Sequence, residues 1–441
     1  MYNVKKIRKD FPVLEKTTYL DNGATTQTPK PAVLAMCDFY YEYTANYGRS
    51  AHKLGFRATE AYEKSRENVA EFFGLPVKTM EDAMKKPDEI HQKNIIFTKN
   101  TTDSINMVAN GFDFKKGDHV ITSIAEHHSN FVPWLRLIKT KGIVVDVVDI
   151  DSKGRIRPED IQKNITENTK MVAITHISNV LGSIQDVEEI TKIAHDHNIP
   201  ILIDGAQSAG HMKINLKKLD CDYFATAGHK GLLGPQGTGV LYLKDKSSIA
   251  PANLGGGTTC HASRDGKYDS KLPPELLEAG TPNLPGVIGL GAAVKYLSQF
   301  NLDDIEKHEK KLAQNAAKRL LEIKGVEVYG PEDRSGLVAF NIKNMAPIDV
   351  AGHLSNMDIC VRSGCHCATP LQDFLGIPDG SVRASFALYN TKKEVDILID
   401  AVSKIAKAQS KRQKDAKKKD EKKQADKKET GCCGGACSNE M

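Results

Sequence analysis

Between about residues 93 and 245, short β-branched runs alternate with longer stretches of helical spacing, and this rhythm limits the fold more than any other feature. NIIFT, DHVITS, IVVDVVDI, KMVAITHIS and IPILIDG are near-continuously apolar, the pattern of strands covered on both faces. TTDSINMVANGF, NFVPWLRLIKTKG and VEEITKIAHDHN lie between them with helical periodicity. Such alternation predicts an α/β fold around a mostly parallel sheet. Ligands in these sheets sit beyond the carboxyl ends of the strands. From about residue 296 the rhythm changes to a helical stretch, then VEVYG, GLVAFNI and ICVRSGCHC, then a closing helix near 392–408, which reads as a smaller α+β unit.

No apolar run approaches the roughly 18 residues a membrane span needs, and the opening MYNVKKIRKDFPVLEK has no apolar signal core. A cytoplasmic protein without a membrane partner is expected. Residues 411–429 carry ten Lys/Arg and five Asp/Glu, which accounts for the whole formal excess of +5. The remainder is neutral, so the basicity belongs to a tail and gives no reason to expect a nucleic-acid partner. The nine cysteines form no regular, even framework, as in a reducing compartment. Cys37, Cys221, Cys260 and Cys360 are scattered and read as buried small hydrophobes. Cys365 and Cys367 flank His366 in VRSGCHC, and Cys432, Cys433 and Cys437 cluster in GCCGGAC. Spacing alone leaves Cys365 and Cys367 open as half a metal site, a redox pair, or one nucleophile with a neighbour.

Lys230 stands between the DYFATA strand and a glycine-rich turn, where an ordinary surface lysine is the plain alternative. Asp204 changes the balance. An acid ending a buried strand is costly without a cationic partner, and a protonated pyridine nitrogen would be such a partner. TKNTTDSIN opens a helix with hydroxyls and free N–H groups, a ready phosphate site. His127 and His128 follow a strand, and neighbours in extended chain point opposite ways, which argues against a shared metal.

Taken in order, YLDNGATTQTP, FTKNTTDSIN, AEHHSNFVPW, HISNVLGS, DGAQSAGH, GHKGLLGPQGTGVLY, EAGTPN, VRSGCHC and VRASFALYN closely resemble the SUF-type (group II) cysteine desulfurases over about residues 10–405. These are class-V aminotransferases with the fold type I, aspartate-aminotransferase-like architecture. The resemblance implies a large domain around a mostly parallel seven-stranded sheet and a smaller α+β domain. It implies conversion of L-cysteine to L-alanine, with the sulfur passed to Cys367 as a persulfide and onward to iron–sulfur cluster assembly or other sulfur transfer. Selenocysteine lyases share the fold and cofactor and are the alternative.

Residue by residue, the resemblance implies that Lys230 bonds to pyridoxal phosphate, Asp204 pairs with its ring nitrogen and Gln207 with its phenolic oxygen. His127 would stack on the ring and assist proton transfer. Thr101, Thr102 and His229 would hold the phosphate, with Thr281 reaching it from a neighbouring subunit of a homodimer. Arg383, Arg362 and Asn179 would serve the substrate, with Asn179 also near the ring. No metal is expected. The sulfur acceptor would be a separate protein or the chain's own tail, with Cys365, Cys432, Cys433 and Cys437 as relay thiols. Three positions depart from the family pattern: Cys365 for histidine, Ala227 for serine and Gly48 for histidine. The expected division is 1–22 as a segment packing on the small domain, 23–295 as the large domain and 296–408 as the small domain. A charged linker, 409–430, either a solvated helix or disordered, and a Cys-rich tail, 431–441, would follow.

Overall fold

The computed structural model describes residues 2–48, 50–77 and 91–430; Cys432, Cys433 and Cys437 lie outside them. Seven strands form the large sheet: β1 (Ile95–Thr98), β2 (His119–Ser123), β3 (Val144–Val148), β4 (Thr169–Thr175), β5 (Ile201–Asp204), β6 (Tyr223–Ala227) and β7 (Gly239–Leu243). Their order is β1-β7-β6-β5-β4-β2-β3. β7 runs antiparallel to both its neighbours, and the other pairings are parallel.

The continuous apolar strands follow from burial on two faces. Ile121, Val172, Ile174, Ile201, Ile203, Phe224 and Val240 enter one core cluster. Their chain neighbours Val120, Met171, Ala173, Leu202, Tyr223, Ala225 and Leu241 enter another. Side chains alternate across a strand, so successive residues must all be apolar when both faces are covered. β3 breaks the expectation. It is one of the two edge strands, and its Val144 and Val147 are 52% and 39% exposed.

The second sheet holds β8 (Val326–Tyr329), β9 (Leu337–Ile342), β10 (Arg362–Gly364) and β11 (Ser381–Ser385), ordered β8-β9-β11-β10 and antiparallel throughout. Helices Leu302–Leu321 and Lys392–Thr430 pack on it through Leu312, Ala316, Leu320, Val395, Leu398 and Val402. The N-terminal segment joins this unit. Thr18–Tyr19 pairs with Ile359–Cys360, and Leu20 enters the same core. Ile7, Phe11 and Leu14 pack with Tyr296, Leu297 and Tyr389.

One sequence expectation, burial of the four scattered cysteines, needs correction, and one open choice is resolved: the stretch after 408 is helical, and the closing helix runs to Thr430. Its Lys, Ala, Glu and Gln residues are strong helix formers, and Gln409 and Gln413 dock on the carbonyls of Asn344 and Lys343. Of the four scattered cysteines only Cys221 is buried; Cys37 and Cys360 are half-buried, and Cys260 is exposed on the Thr259–Ala262 strand of a hairpin. Among the described residues no helix is long and apolar enough to cross a membrane.

A buried ion pair ties distant parts of the fold together. Arg66, fully buried, grips Glu278 through Nη1 at 2.6 Å and Nη2 at 2.9 Å, and donates to the Ile95 carbonyl at 2.7 Å. Glu278 also accepts from Phe97 N and Tyr62 Oη. Removing one partner leaves the other charge buried, so Arg66→Ala should cost about 3–5 kcal/mol. Denaturant unfolding checks this, and a loss below about 1 kcal/mol would place the pair among ordinary surface bridges.

Candidate active site

The carboxyl ends of β1, β2, β4, β5 and β6 converge on a cavity of about 290 Å³. Asn100 caps the Thr101–Gly111 helix after β1, through Oδ1 to Asp103 N. Thr101 and Thr102 in its first turn line the cavity, as do Ser129 and His229. Thr102 Oγ1 and Ser129 Oγ lie 2.7 Å apart. His127 Nδ1 accepts from the backbone N–H of Ser129 at 3.1 Å, so the imidazole, when neutral, carries its proton on Nε2. Asp204, at the end of β5, spends one oxygen on Ala206 N at 2.9 Å. Gln207 Nε2 donates to the Gly23 carbonyl at 2.8 Å and has a second N–H remaining.

Lys230 sits on the turn after β6. Thr26 fastens that turn, its N–H donating to the His229 carbonyl at 2.9 Å and its hydroxyl to the Lys230 carbonyl at 2.6 Å. Gly210, at φ +85°, passes so near that a Cβ would lie 2.1 Å from the Gly231 carbonyl oxygen, and only glycine fits. On the other wall β11 presents Arg383, 2% exposed, opposite Arg362 of β10 in the ladder. Arg383 Nη1 donates to the Asn179 carbonyl at 2.8 Å, and Nη2 reaches Asp21 at 3.5 Å.

The walls set the charge states. Burial lowers Lys230 to about 8, against the pull of Asp204. Burial first, then the Lys230 charge, lowers His127 to about 3 and His229 to about 4. Both imidazoles are therefore neutral at pH 7. Burial raises Asp204, the backbone N–H of Ala206 and the Lys230 charge opposing it. Burial also brings Arg383 down to about 10, so it stays cationic. Three cations, Lys230, Arg362 and Arg383, thus meet two acids, Asp204 in the cavity wall and Asp21 beside Arg383.

Cys367 enters the same cavity on a tight turn. Ala368 N donates to the Cys365 carbonyl at 3.0 Å, and the two central residues, His366 and Cys367, sit at φ +52° and +55°. Positive φ at both centres suits Asn-Gly far better than His-Cys, so the turn is held from outside. His366 is buried beneath it, Nε2 donating to the Ser381 carbonyl at 3.0 Å. Asn179 Nδ2 donates to the His366 carbonyl at 2.7 Å. Cys365 turns toward Pro378, with Sγ 3.5 Å from that carbonyl oxygen.

The class-V aminotransferase family model matches residues 18–398. A probable cysteine desulfurase of Methanothermobacter thermautotrophicus is 43% identical over 91% of this chain and 97% of its own length. One from Halalkalibacterium halodurans is also 43% identical, over 91% of this chain and 98% of its own length. The apo structure of the cysteine desulfurase from Thermococcus onnurineus NA1 superposes with a TM-score of 0.85 at 42% identity, covering 92% of this chain and 98% of that one. This chain belongs to the class-V aminotransferases, as a cysteine desulfurase.

The desulfurase cavity gathers nearly all the residues expected from sequence: Thr101, Thr102, His127, Asn179, Asp204, Gln207, His229, Lys230, Arg362, Cys367 and Arg383. Thr281 is not among them. It lines a separate hollow of about 250 Å³ with Tyr47, Gly48 and Glu278, so one subunit does not bring it to its own cavity. His127 and His128 diverge, with ring centroids 6.4 Å apart, and among the described residues no three His, Cys, Asp or Glu side chains gather for a metal. Sequence reasoning missed Thr26, Ser129 and Asp21. Ser129 was visible in EHHSN as one more hydroxyl, and it lines the cavity with its Oγ 2.7 Å from Thr102 Oγ1. Thr26 carried no signal, since its partners lie about 200 residues away.

Proposed function

We propose that this desulfurase converts L-cysteine to L-alanine and keeps the sulfur on Cys367 as a persulfide, using pyridoxal phosphate held by the residues named above. One observation carries the reading: a lysine with lowered pKa and an exposed thiol line the same cavity. The cavity fits the cofactor chemically. Thr101 Oγ1 and His229 Nδ1 are buried without a protein partner where the phosphate would lie, and Asn179 Oδ1 and Arg383 Nε are likewise unpartnered near Arg362. Asp204 is a buried acid with a spare oxygen for a ring N–H.

Bound pyridoxal phosphate supplies the electron sink that lets bonds at the substrate Cα and Cβ break. Arg383, aided by Arg362, binds the substrate carboxylate as a planar two-point donor. Lys230 Nζ, with a pKa near neutrality, takes the Cα proton and returns it during alanine formation. His127, fixed by Ser129 with its proton on Nε2, would stack on the ring and donate there. Cys367 Sγ attacks the substrate sulfur, the carbon–sulfur bond breaks, and alanine leaves after protonation of its new methyl carbon. Atoms balance: cysteine and a thiol give alanine and a persulfide. Measuring alanine and sulfane sulfur from L-cysteine in parallel with L-selenocysteine tests the reading. A cysteine rate at background beside rapid selenocysteine cleavage would contradict it.

The reading extends to a cytoplasmic homodimer in which Thr281, beside the Arg66–Glu278 pair, completes the phosphate site of a second subunit. Fully active monomers would contradict this. The tail thiols Cys432, Cys433 and Cys437 are proposed to accept sulfur from Cys367. After Gln413 the helix continues for 17 residues, about 26 Å, a span over which tethered thiols could be carried to an acceptor position. Cys365, turned toward Pro378, is proposed as an accessory thiol. Truncation after residue 408 should slow multiple turnover without reductant about twofold to tenfold while sparing the first persulfide, since tethered thiols act at up to millimolar effective concentration. Turnover unchanged by truncation at every reductant concentration would make the tail an appendage.

A further inference from the structure

We propose that the His128 imidazole is a positioning residue that sets Cys367 for attack by capping, from the loop after β2, the helix that follows the thiol turn. The inference rests on the reading of Cys367 as the nucleophile. The helix Thr369–Phe374 begins directly after the turn, and its N-cap is Ala368, which has no side-chain acceptor. The first N–H groups of a helix need partners from outside it. His128 supplies one: Thr369 N donates to His128 Nε2 at 3.2 Å, with Thr369 Oγ1 at 2.9 Å from the same nitrogen. A backbone N–H can only donate, so Nε2 carries a lone pair and the ring proton is on Nδ1.

The same residue holds the turn a second time, since His128 N donates to the Cys367 carbonyl at 2.6 Å. A turn whose centre is two non-glycine residues at positive φ depends on such outside holds. The holding loop is itself fixed. Glu126 accepts from Ser123 Oγ at 2.6 Å, Thr175 N at 3.0 Å and Asn130 Nδ2 at 2.7 Å, which locks the segment 126–130 onto β2 and β4. His127 and His128 therefore project from one anchored loop, one toward the cofactor cavity and one toward the thiol. The position of Sγ is thereby referenced to the ring-side histidine, although 240 residues separate them.

The test compares His128→Ala, His128→Gln and Cys367→Ser holoenzymes. Glutamine offers an acceptor oxygen near the position of Nε2, whereas alanine keeps only the backbone hold. His128→Ala should lower kcat for alanine formation about tenfold to a hundredfold, with KM changed by less than about threefold, because a small misplacement of a reacting atom has effects of that size. Persulfide formation on Cys367 in a single turnover should slow in proportion, cofactor absorbance should be unchanged, and His128→Gln should recover most of the rate. The inference is overturned if His128→Ala retains wild-type kcat, if it loses cofactor absorbance together with activity, or if glutamine is no better than alanine. Cys367→Ser separates the two claims. An active Cys367→Ser enzyme defeats the nucleophile reading, whereas an inactive one beside a fully active His128→Ala defeats the capping inference alone.

Discussion

Replacing Lys230 by alanine is expected to lower alanine formation from L-cysteine by at least about ten-thousandfold, the upper end for one positioned proton-transfer group. The magnitude follows from the double duty proposed for Nζ, covalent attachment of the cofactor and proton movement at the substrate Cα. Lysine suits both because burial brings it down to about 8 while Asp204 keeps it from falling further. The phosphate contacts proposed for Thr101, Thr102 and His229 would not depend on the lysine, so the variant should still take up pyridoxal phosphate, without the absorbance of the covalent adduct. Rate assays and absorbance spectra check the two halves separately. A Lys230→Ala enzyme within about tenfold of wild type would show that another group moves the proton.

Cys367→Ser is expected to lose about a thousandfold or more in sulfur release while cofactor absorbance and substrate binding persist. The warrant is chemical: a thiol is partly thiolate near neutrality and intrinsically a strong nucleophile, whereas an unassisted hydroxyl is neither. No base stands ready for a serine at this position. His366 is buried below the turn, its Nε2 engaged with Ser381, and burial holds its pKa near 3. His127, also neutral, faces Ser129 through Nδ1. Spectral changes on adding L-cysteine should therefore survive in Cys367→Ser while alanine formation stops. Full turnover by that variant would remove the thiol from the mechanism.

The sequence made the inner strands legible because burial on two faces imposes an uninterrupted apolar run, and Asp204 and Lys230 stood out because each ends or follows such a run. The edge strand Val144–Val148 looked the same but is half-exposed, since nothing in a local apolar run reports its place in the sheet order. The closing helix was ambiguous for a different reason. Lys, Glu, Ala and Gln favour both a solvated helix and an unfolded chain, and the docking of Gln409 and Gln413 decides between them.

Contacts between distant segments were the least legible. Arg66 and Glu278 are 212 positions apart, and His128 and Thr369 are 241 apart; neither spacing leaves a local pattern. His128 looked at first like half of a histidine pair, and only the thiol turn lying against it shows what its ring touches. Thr281 was placed by resemblance at a phosphate, yet in one subunit it lines another hollow, so its part in the site depends on a second copy of the chain.

The most direct measurement is the mass of the Cys367 peptide after a brief pulse of limiting L-cysteine without reductant. The account predicts one added sulfur atom on Cys367, formed in step with one equivalent of alanine and absent in Lys230→Ala. Alanine released while Cys367 stays unmodified, or sulfur appearing first on another cysteine in the intact enzyme, would contradict it.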